Sequence, residues 1–359
     1  MGVRATGKPG AAALIIAGGR GTRFWPESRA GRPKPLFAID GKTSLLEETI
    51  ARTRPLIPKE RIFVLVAADQ RAAFRRALRG LIPPRNLIVE PAGRGTAVAI
   101  AYGGAVIARR LGAQTVVAVI PADHYVTPAT GFRATVASAI ALAAADDAIV
   151  VVGVTPTRPE TGYGYQQIGR AVGAGFKVER FVEKPALARA RQMVKSGKFL
   201  WNAGIFVMRI STLARELAEH APRLATAMST LATRRGPELS RAYAKLDFDS
   251  FDRVVAEKSS RVLSVQARFR WFDVGSWEGL WEALGDAAQA GNVTIGNVIA
   301  LDTSGVIARG GKRLMVLLGV SDLVAVDTGD AILIARRSQS QEVRRVPEEL
   351  ARRGLTRYL

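Results

Sequence analysis

The 359-residue chain contains no cysteine and only two histidines, His124 and His220. Without thiols there is no disulfide framework, zinc ribbon, iron–sulfur ligation or thiol nucleophile, and two histidines are too few for a His-rich metal centre. Chemistry must come from carboxylates, Lys, Arg, hydroxyls or backbone groups. No uninterrupted apolar run reaches about 18 residues, the length a membrane-spanning helix needs. The opening MGVRATGKPG is too polar and glycine-rich to lead a signal peptide. These absences predict a cytoplasmic chain with no membrane partner. Acidic residues are also scarce: 31 against 52 basic ones, for a net charge of +21. The arginines are scattered from Arg4 to Arg357 in runs no longer than two, and no basic segment interleaves with aromatics. Nucleic acid is therefore not the expected partner; a field of this sign also favours polyanionic small substrates such as nucleoside triphosphates.

A hydrophobic fraction of 48% is enough for the core of one large domain or two. Residues 1–10 read as a flexible tail. Short β-branched runs at 13–17, 62–67, 87–89, 116–120 and 148–152 alternate with Ala-rich helical stretches at 45–54, 71–81, 96–111 and 132–145. That alternation predicts βαβ crossovers and an α/β fold with a doubly wound, mostly parallel, Rossmann-like sheet, its ligands at the carboxyl ends of the strands. A helix at 187–196, a strand at 204–209 and a less regular helical region to about residue 256 follow, closed by an aromatic cluster at 269–281. From residue 296, short strands broken by Gly, Asp or Ser every eight or nine residues predict a small all-β domain. A β-helical coil and a sandwich both fit it. The expected division is a catalytic domain over 11–285 and a C-terminal β domain over 294–359.

The strongest local signal is a strand running into glycines and arginines, Leu14-Ile-Ile-Ala-Gly-Gly-Arg-Gly-Thr-Arg-Phe-Trp-Pro-Glu-Ser-Arg29. Glycines let backbone N–H groups turn toward an anion, and Arg20 and Arg23 add charged donors for phosphate oxygens. The loop is neither a P-loop nor a complete dinucleotide fingerprint, and the near-match at 305–312 falls in the β domain. Pro33 and Pro35 flank Lys34 and are expected to hold it in extended backbone, its ammonium facing ligand and not core.

The run GGRGTRFWPESR followed by RPKPLF resembles the sugar-1-phosphate nucleotidyltransferases, specifically the mannose-1-phosphate guanylyltransferases. Further blocks fall in that family's order: EPAGRGTA from Glu90, PADH from Pro121, TGYGY from Thr161, FVEKP from Phe181, WNAGIF from Trp201, FDRVVAEK from Phe251 and WFDVGSW from Trp271. The resemblance spans about 11–284, and the β domain is similar to the family's C-terminal extension. The sequence departs from the family at Gly95, where Asn is common, at Pro35, where Gln is common, and at Ala203, where small polar residues are common. These changes touch base and sugar recognition but leave the charged positions intact.

The resemblance implies attack by an oxygen of mannose 1-phosphate on the α-phosphorus of GTP, giving GDP-mannose and pyrophosphate. A related enzyme using another nucleoside triphosphate or hexose 1-phosphate is the alternative. The phosphate nucleophile is already anionic, so positioning and charge neutralisation suffice, in keeping with a chain nearly free of His and Cys. By resemblance Arg23, Lys34, Asp123, Lys184 and Asp273 are catalytic, with Asp123 and Asp273 holding Mg²⁺. Ala17, Gly18, Gly19, Arg20, Gly21, Thr22, Arg23, Glu90, Gly95 and Thr96 would hold the nucleotide. Gly162, Tyr163, Gly164, Glu183, Lys184 and Asn202 would hold the sugar phosphate. The residues also admit plainer roles: Asp123 capping a strand end, Asp273 and Thr96 capping helices, Glu183–Lys184 as a solvated strand end, and His124 as hydrogen-bonding support. The resemblance admits a homodimer, and no isomerase domain fits the short C-terminal segment.

Overall fold

The structure, a computed structural model, describes residues 10–19, 21–285 and 291–359. The tail expected over 1–10 lies outside the described residues but for Gly10. Chain order runs β1 (Ala12–Ile16), α1 (Leu45–Thr53), β2 (Ile62–Ala67), α2 (Arg71–Ala77), β3 (Leu87–Glu90), α3 (Thr96–Leu111) and β4 (Val116–Pro121). It continues through β5 (His124–Thr127), α4 (Ala129–Ala145), β6 (Ile149–Val154), β7 (Gly164–Val172), β8 (Gly175–Glu183), α5 (Leu187–Ser196) and β9 (Phe199–Arg209). Then come α6 (Ile210–His220), α7 (Pro222–Leu231), α8 (Gly236–Ala244), β10 (Val262–Gln266), β11 (Arg270–Asp273) and α9 (Trp277–Leu284).

Strand β1 reads AALII, apolar at every position, so it can only sit in a sheet covered on both faces. It lies third in a nine-stranded sheet of order β3-β2-β1-β4-β9-β6-β10-β8-β7. Parallel pairs join β3, β2, β1 and β4, and β6 and β10; β9 is antiparallel to β4, β6 and β7, and β8 to β10 and β7. All strands but β8 and β9 therefore point one way, the mostly parallel sheet that the alternation predicts. One apolar cluster packs α3, α6 and α7 on one face, and a second packs α1, α2 and α4 on the other. Helix α1 starts on a capping box: Ser44 Oγ accepts from the Glu47 amide at 3.2 Å, and Glu47 Oε2 accepts from the Ser44 amide at 2.9 Å. Strand β9 begins at Phe199, five residues before the start expected from its apolar core. Helix α2 ends at Ala77 instead of 81 because its last turn opens before Gly80.

The C-terminal strands are β12 (Val293–Ile295), β13 (Val298–Leu301), β14 (Ile307–Arg309), β15 (Met315–Leu318), β16 (Leu323–Asp327) and β17 (Ile332–Arg336), followed by α10 (Arg345–Arg352). Parallel pairing of β12 with β14, β14 with β16, and β13 with β15 stacks successive coils, which decides for a β-helix over a sandwich. A third apolar cluster joins this domain to the glycine loop, packing Phe24, Phe37 and Trp277 with Ile307, Val324 and Val343. Arg309 Nε donates to Glu27 Oε1 at 2.5 Å beside it.

Candidate active site

The glycine loop leaves the sheet at its carboxyl edge. The Ala17 amide donates to the Leu65 carbonyl at 2.9 Å and the Ala122 amide to the Ile16 carbonyl at 3.0 Å, so pairing continues to Ala17 and releases the chain at Gly18. Gly18 and Gly19 are exposed, and Arg20 lies outside the described residues. Gly21 has φ 62°, and a Cβ there would lie 2.5 Å from Lys34 Cβ and 2.6 Å from Ser28 Oγ. Only glycine lets the Lys34 segment close against the loop. A single 3-10 turn over Thr22–Phe24 buries Phe24 and leaves Thr22 and Arg23 exposed. Arg23 Nη1 donates to Gln341 Oε1 at 2.9 Å, and Gln341 Nε2 donates to Ser276 Oγ at 3.3 Å. A residue of the C-terminal domain thus holds the loop arginine, and nothing in the sequence marked Gln341.

The segment Lys34–Leu36 forms a 3-10 turn, correcting the extended backbone expected there. Proline at the second position carries the φ such a turn requires, and this outweighs the bias it imposes on its neighbour. The Lys34 side chain is also buried, 5% exposed as a residue, so it faces the interior as well as the loop. Its Nζ donates to Asp123 Oδ2 at 2.7 Å and lies 3.7 Å from Asp273 Oδ1. Burial would raise the Asp123 carboxyl, but the Lys34 ammonium overrides it and holds it at about 2.

The two aspartates meet because β5 pairs antiparallel with β11, which sets Asp273 opposite His124. The helix that follows is capped by Ser276, whose Oγ accepts from the Gly279 amide at 3.3 Å, so Asp273 is not its cap. His124 accepts from Trp271 Nε1 at its Nδ1, 3.1 Å away, which leaves the imidazole proton on Nε2. Burial lowers the His124 pKa against the pull of Asp123 and Asp273. A neutral imidazole wedged between Asp123 and Trp271 is a support.

At the other end of the loop, Glu90 closes β3 and is buried; an added Cβ on Gly18 would lie 3.6 Å from its Oε1. Burial pushes the Glu90 carboxyl up to about 6, against a short hydrogen bond donated by the Tyr243 hydroxyl. Gly95, at φ 83°, is the residue before α3, and Thr96 Oγ1 accepts from the Phe251 amide at 2.9 Å. Thr96 is therefore not the helix cap; its hydroxyl ties α3 to the segment after α8.

The third group lies along β7, β8 and β9. Gly164 pairs opposite Glu183, and a Cβ there would lie 2.6 Å from Glu183 Oε2. The Glu183 amide donates to Glu257 Oε1 at 2.6 Å, and the Glu183 side chain is buried, which excludes a freely solvated strand end. Lys184 adopts φ 48°, its amide donates to the Tyr163 carbonyl at 3.2 Å, and its exposed Nζ lies 3.2 Å from Glu183 Oε1. Asn202 is braced at both ends: Nδ2 donates to Asp252 Oδ1 at 2.6 Å and Oδ1 accepts from the Gly204 amide at 2.9 Å. Burial and the nearby Glu183 charge push Asp252 up to about 7. Asp252 and Glu257 belong to the FDRVVAEK block, yet only the fold joins them to Asn202 and Glu183. Gly162 is exposed, its amide donating to Glu160 Oε1 at 3.0 Å. Tyr163 packs edge-on against Trp201 and Trp271, with centroids 5.4 and 4.9 Å away. These rings and Asp273 border a cleft of about 320 Å³.

The fold and this edge are those of an α/β nucleotidyltransferase. The profile of the family described as "Nucleotidyl transferase" matches residues 12–290, and the chain belongs to that family. A second profile, "MannoseP isomerase/GMP-like beta-helix domain", matches residues 296–350. The xanthan biosynthesis protein XanB of Xanthomonas campestris pv. campestris is 37% identical over 347 residues, covering 95% of this chain and 73% of its own length. The mannose-1-phosphate guanylyltransferase of Escherichia coli K12 is 36% identical over 356 residues, covering 95% of this chain and 73% of its own length. A solved structure from Thermus thermophilus, described as a mannose-1-phosphate geranyltransferase, superposes with a TM-score of 0.87 at 38% identity. It covers 95% of this chain and 99% of its own. Among the described residues no helix is long and apolar enough to cross a membrane.

Proposed function

We propose that the protein is a cytoplasmic enzyme that transfers GMP from GTP to α-D-mannose 1-phosphate, releasing pyrophosphate and forming GDP-mannose. One observation carries the reading: a buried lysine held between Asp123 and Asp273 at the mouth of a glycine loop, in a chain 36% identical to a protein named for this activity. Residues 11–285 make the catalytic domain and 294–359 the C-terminal β domain.

The phosphate oxygen of the sugar attacks the α-phosphorus, the bond to the bridging oxygen breaks, and pyrophosphate leaves with that electron pair. No proton has to move, so no strong base is needed. Gly18, Gly19, Arg20, Gly21, Thr22 and Arg23 receive the triphosphate, and Lys34 neutralises charge gathering near the α-phosphate. Ala17, Glu90, Gly95 and Thr96 surround the base; the Ala17 amide is already engaged, which leaves its carbonyl for guanine. Gly162, Tyr163, Gly164, Glu183 and Asn202 take the hexose, and the exposed ammonium of Lys184 takes its phosphate.

The donor set fits a hard divalent ion. Asp123 and Asp273 offer carboxylate oxygens beside Lys34, and no cluster of three or more His, Cys, Asp or Glu forms a full protein cage among the described residues. Two carboxylates that leave room for phosphate oxygens and water suit Mg²⁺. When bound, such an ion supplies positive charge to the phosphates. The decisive experiment incubates purified protein with Mg²⁺ and every pairing of nucleoside triphosphate and sugar 1-phosphate, scoring pyrophosphate. GTP with mannose 1-phosphate should be fastest; a faster pairing, or none, overturns the proposal.

A further inference from the structure

Strand β3 forms one outer edge of the large sheet. Two clefts of about 970 and 580 Å³ flank this edge and share Arg71, Leu87 and Val89. They exceed the cleft beside Asp273, yet none of the candidate active-site residues lines them. The smaller cleft lies over α3 and the start of α8. Its floor is Tyr102, Val106 and Leu239, its rim Arg71, Arg109, Arg110 and Arg235, and no carboxylate lines it. Arg75, Arg76 and Arg79 continue the basic rim into the larger cleft.

This rim differs from those arginines whose charge is cancelled in place. Elsewhere Arg29, Arg158, Arg215, Arg261, Arg309 and Arg337 each sit on an Asp or Glu. Among the described residues no ion pair joins a rim arginine to a carboxylate. Three of them are anchored on neutral carbonyls: Arg109 Nη1 donates to the Ala232 carbonyl at 2.6 Å, Arg235 Nη1 to the same carbonyl at 3.0 Å, and Arg110 Nη1 to the Arg85 carbonyl at 2.7 Å and to Asn86 Oδ1 at 3.4 Å. A neutral anchor fixes a guanidinium without cancelling its charge and leaves most of its five donors unspent. Mutual repulsion follows: besides partial burial, the charges of Arg85 and Arg235 lower the Arg110 pKa. The floor is preorganised. Tyr102 packs edge-on against Tyr243 at 5.8 Å between centroids, and Tyr243 donates to Glu90.

We propose that this cleft is a second, non-catalytic binding site for a polyphosphorylated small molecule of the nucleotide class. The arginine rim would take the phosphates, and the Tyr102 floor the base or sugar. A concave site of about 580 Å³ is within the range of small-ligand pockets, which favours such a ligand over a polymer backbone laid across a convex surface.

The test is equilibrium titration of the full chain with inorganic tripolyphosphate at physiological salt. Three proteins are compared: wild type, Arg110→Gln/Arg235→Gln, and a control, Arg170→Gln/Arg180→Gln, whose exposed arginines lie on β7 and β8 at the opposite edge. Wild type and control should bind two equivalents per chain, one at the active site and one at the cleft. The cleft variant should lose the second, or weaken it by about tenfold to a hundredfold, while its turnover without added anion stays at the wild-type value. One equivalent in wild type, two unaltered equivalents in the cleft variant, or an equal loss in the control would overturn the proposal. A parallel titration with a short single-stranded oligonucleotide decides the polymer case. Oligonucleotide binding that depends on Arg110 and Arg235, without a second tripolyphosphate equivalent, would overturn it in favour of nucleic acid.

Discussion

The Lys34 ammonium is buried, and a buried cation must keep its counter-charges. Asp123 is the nearer at 2.7 Å and Asp273 the farther at 3.7 Å, their side chains 27% and 37% exposed. Asp123→Asn should therefore lower turnover by orders of magnitude and also cost stability, about 1–3 kcal/mol with the low end favoured by the partial solvation of the pair. Asp273→Asn should lower turnover comparably with little change in melting temperature. Calorimetric melting beside pyrophosphate-release kinetics separates the two, and equal melting losses would contradict the different pairing distances. Glu90 gives a pH signature. Its folded-state pKa is raised from 4.5 to about 6, chiefly by burial, so the folded protein holds that proton more tightly than the unfolded chain. Stability then falls as pH rises from about 4.5 to about 6, by a total on the order of 2 kcal/mol. Glu90→Gln keeps an acceptor for Tyr243 and should make the slope shallower in melting curves taken from pH 4.5 to 7, leaving the share that Asp252 contributes, while nucleotide use weakens. A slope unchanged in the variant would place the proton elsewhere.

Among the elements, α3 shows how a local conformation serves the site. Its N-terminus is set by Gly95 at φ 83°, and any Cβ there would run into the Phe248 and Asp249 carbonyls. Gly95→Ala should destabilise by about 1–3 kcal/mol and loosen the Thr96–Phe251 bond that ties α3 to the segment after α8. Denaturant unfolding with an unchanged midpoint would show that the segment gives way freely. Helices α3 and α5 have the limits expected from the sequence because their apolar stripes end at Gly112 and Gly197. Strands β5, β7, β10 and β11 were not legible, and of β8 only the end at Glu183 was. They carry polar residues such as Gln166, Gln167 and Arg270, so neither a continuous apolar run nor a clean alternation marks them; β5, β10 and β11 also depend on neighbours remote in sequence, whereas β7 and β8 pair with each other as a hairpin.

At the level of the whole molecule, the β-helix is packed onto the glycine loop. It reaches the loop through Gln341, which holds Arg23, and through the apolar cluster around Phe24 and Trp277. Gln341 is exposed, so Gln341→Ala should leave melting nearly unchanged. Losing one hydrogen bond of about 0.5–1.5 kcal/mol should raise the KM for GTP about twofold to tenfold. A fall in melting temperature with an unchanged KM would make the contact structural only.

The residues by themselves determined the α/β class, the parallel β3-β2-β1-β4 side of the sheet, the glycine loop and the charged groups beside it. Each is a local matter: period of apolar residues, freedom at glycine, charge on a side chain. The resemblance supplied the rest of the site set. Only the tertiary structure decided that Lys34 is buried between Asp123 and Asp273, that Asn202 is held by Asp252, and that Gln341 from the last domain holds Arg23. Those facts arise from chain segments remote in sequence being pressed together, as when β5 pairs with β11 and carries residue 273 beside residue 123. Local propensity is blind to such pairing, because its energy comes from partners that meet only after the sheet has formed.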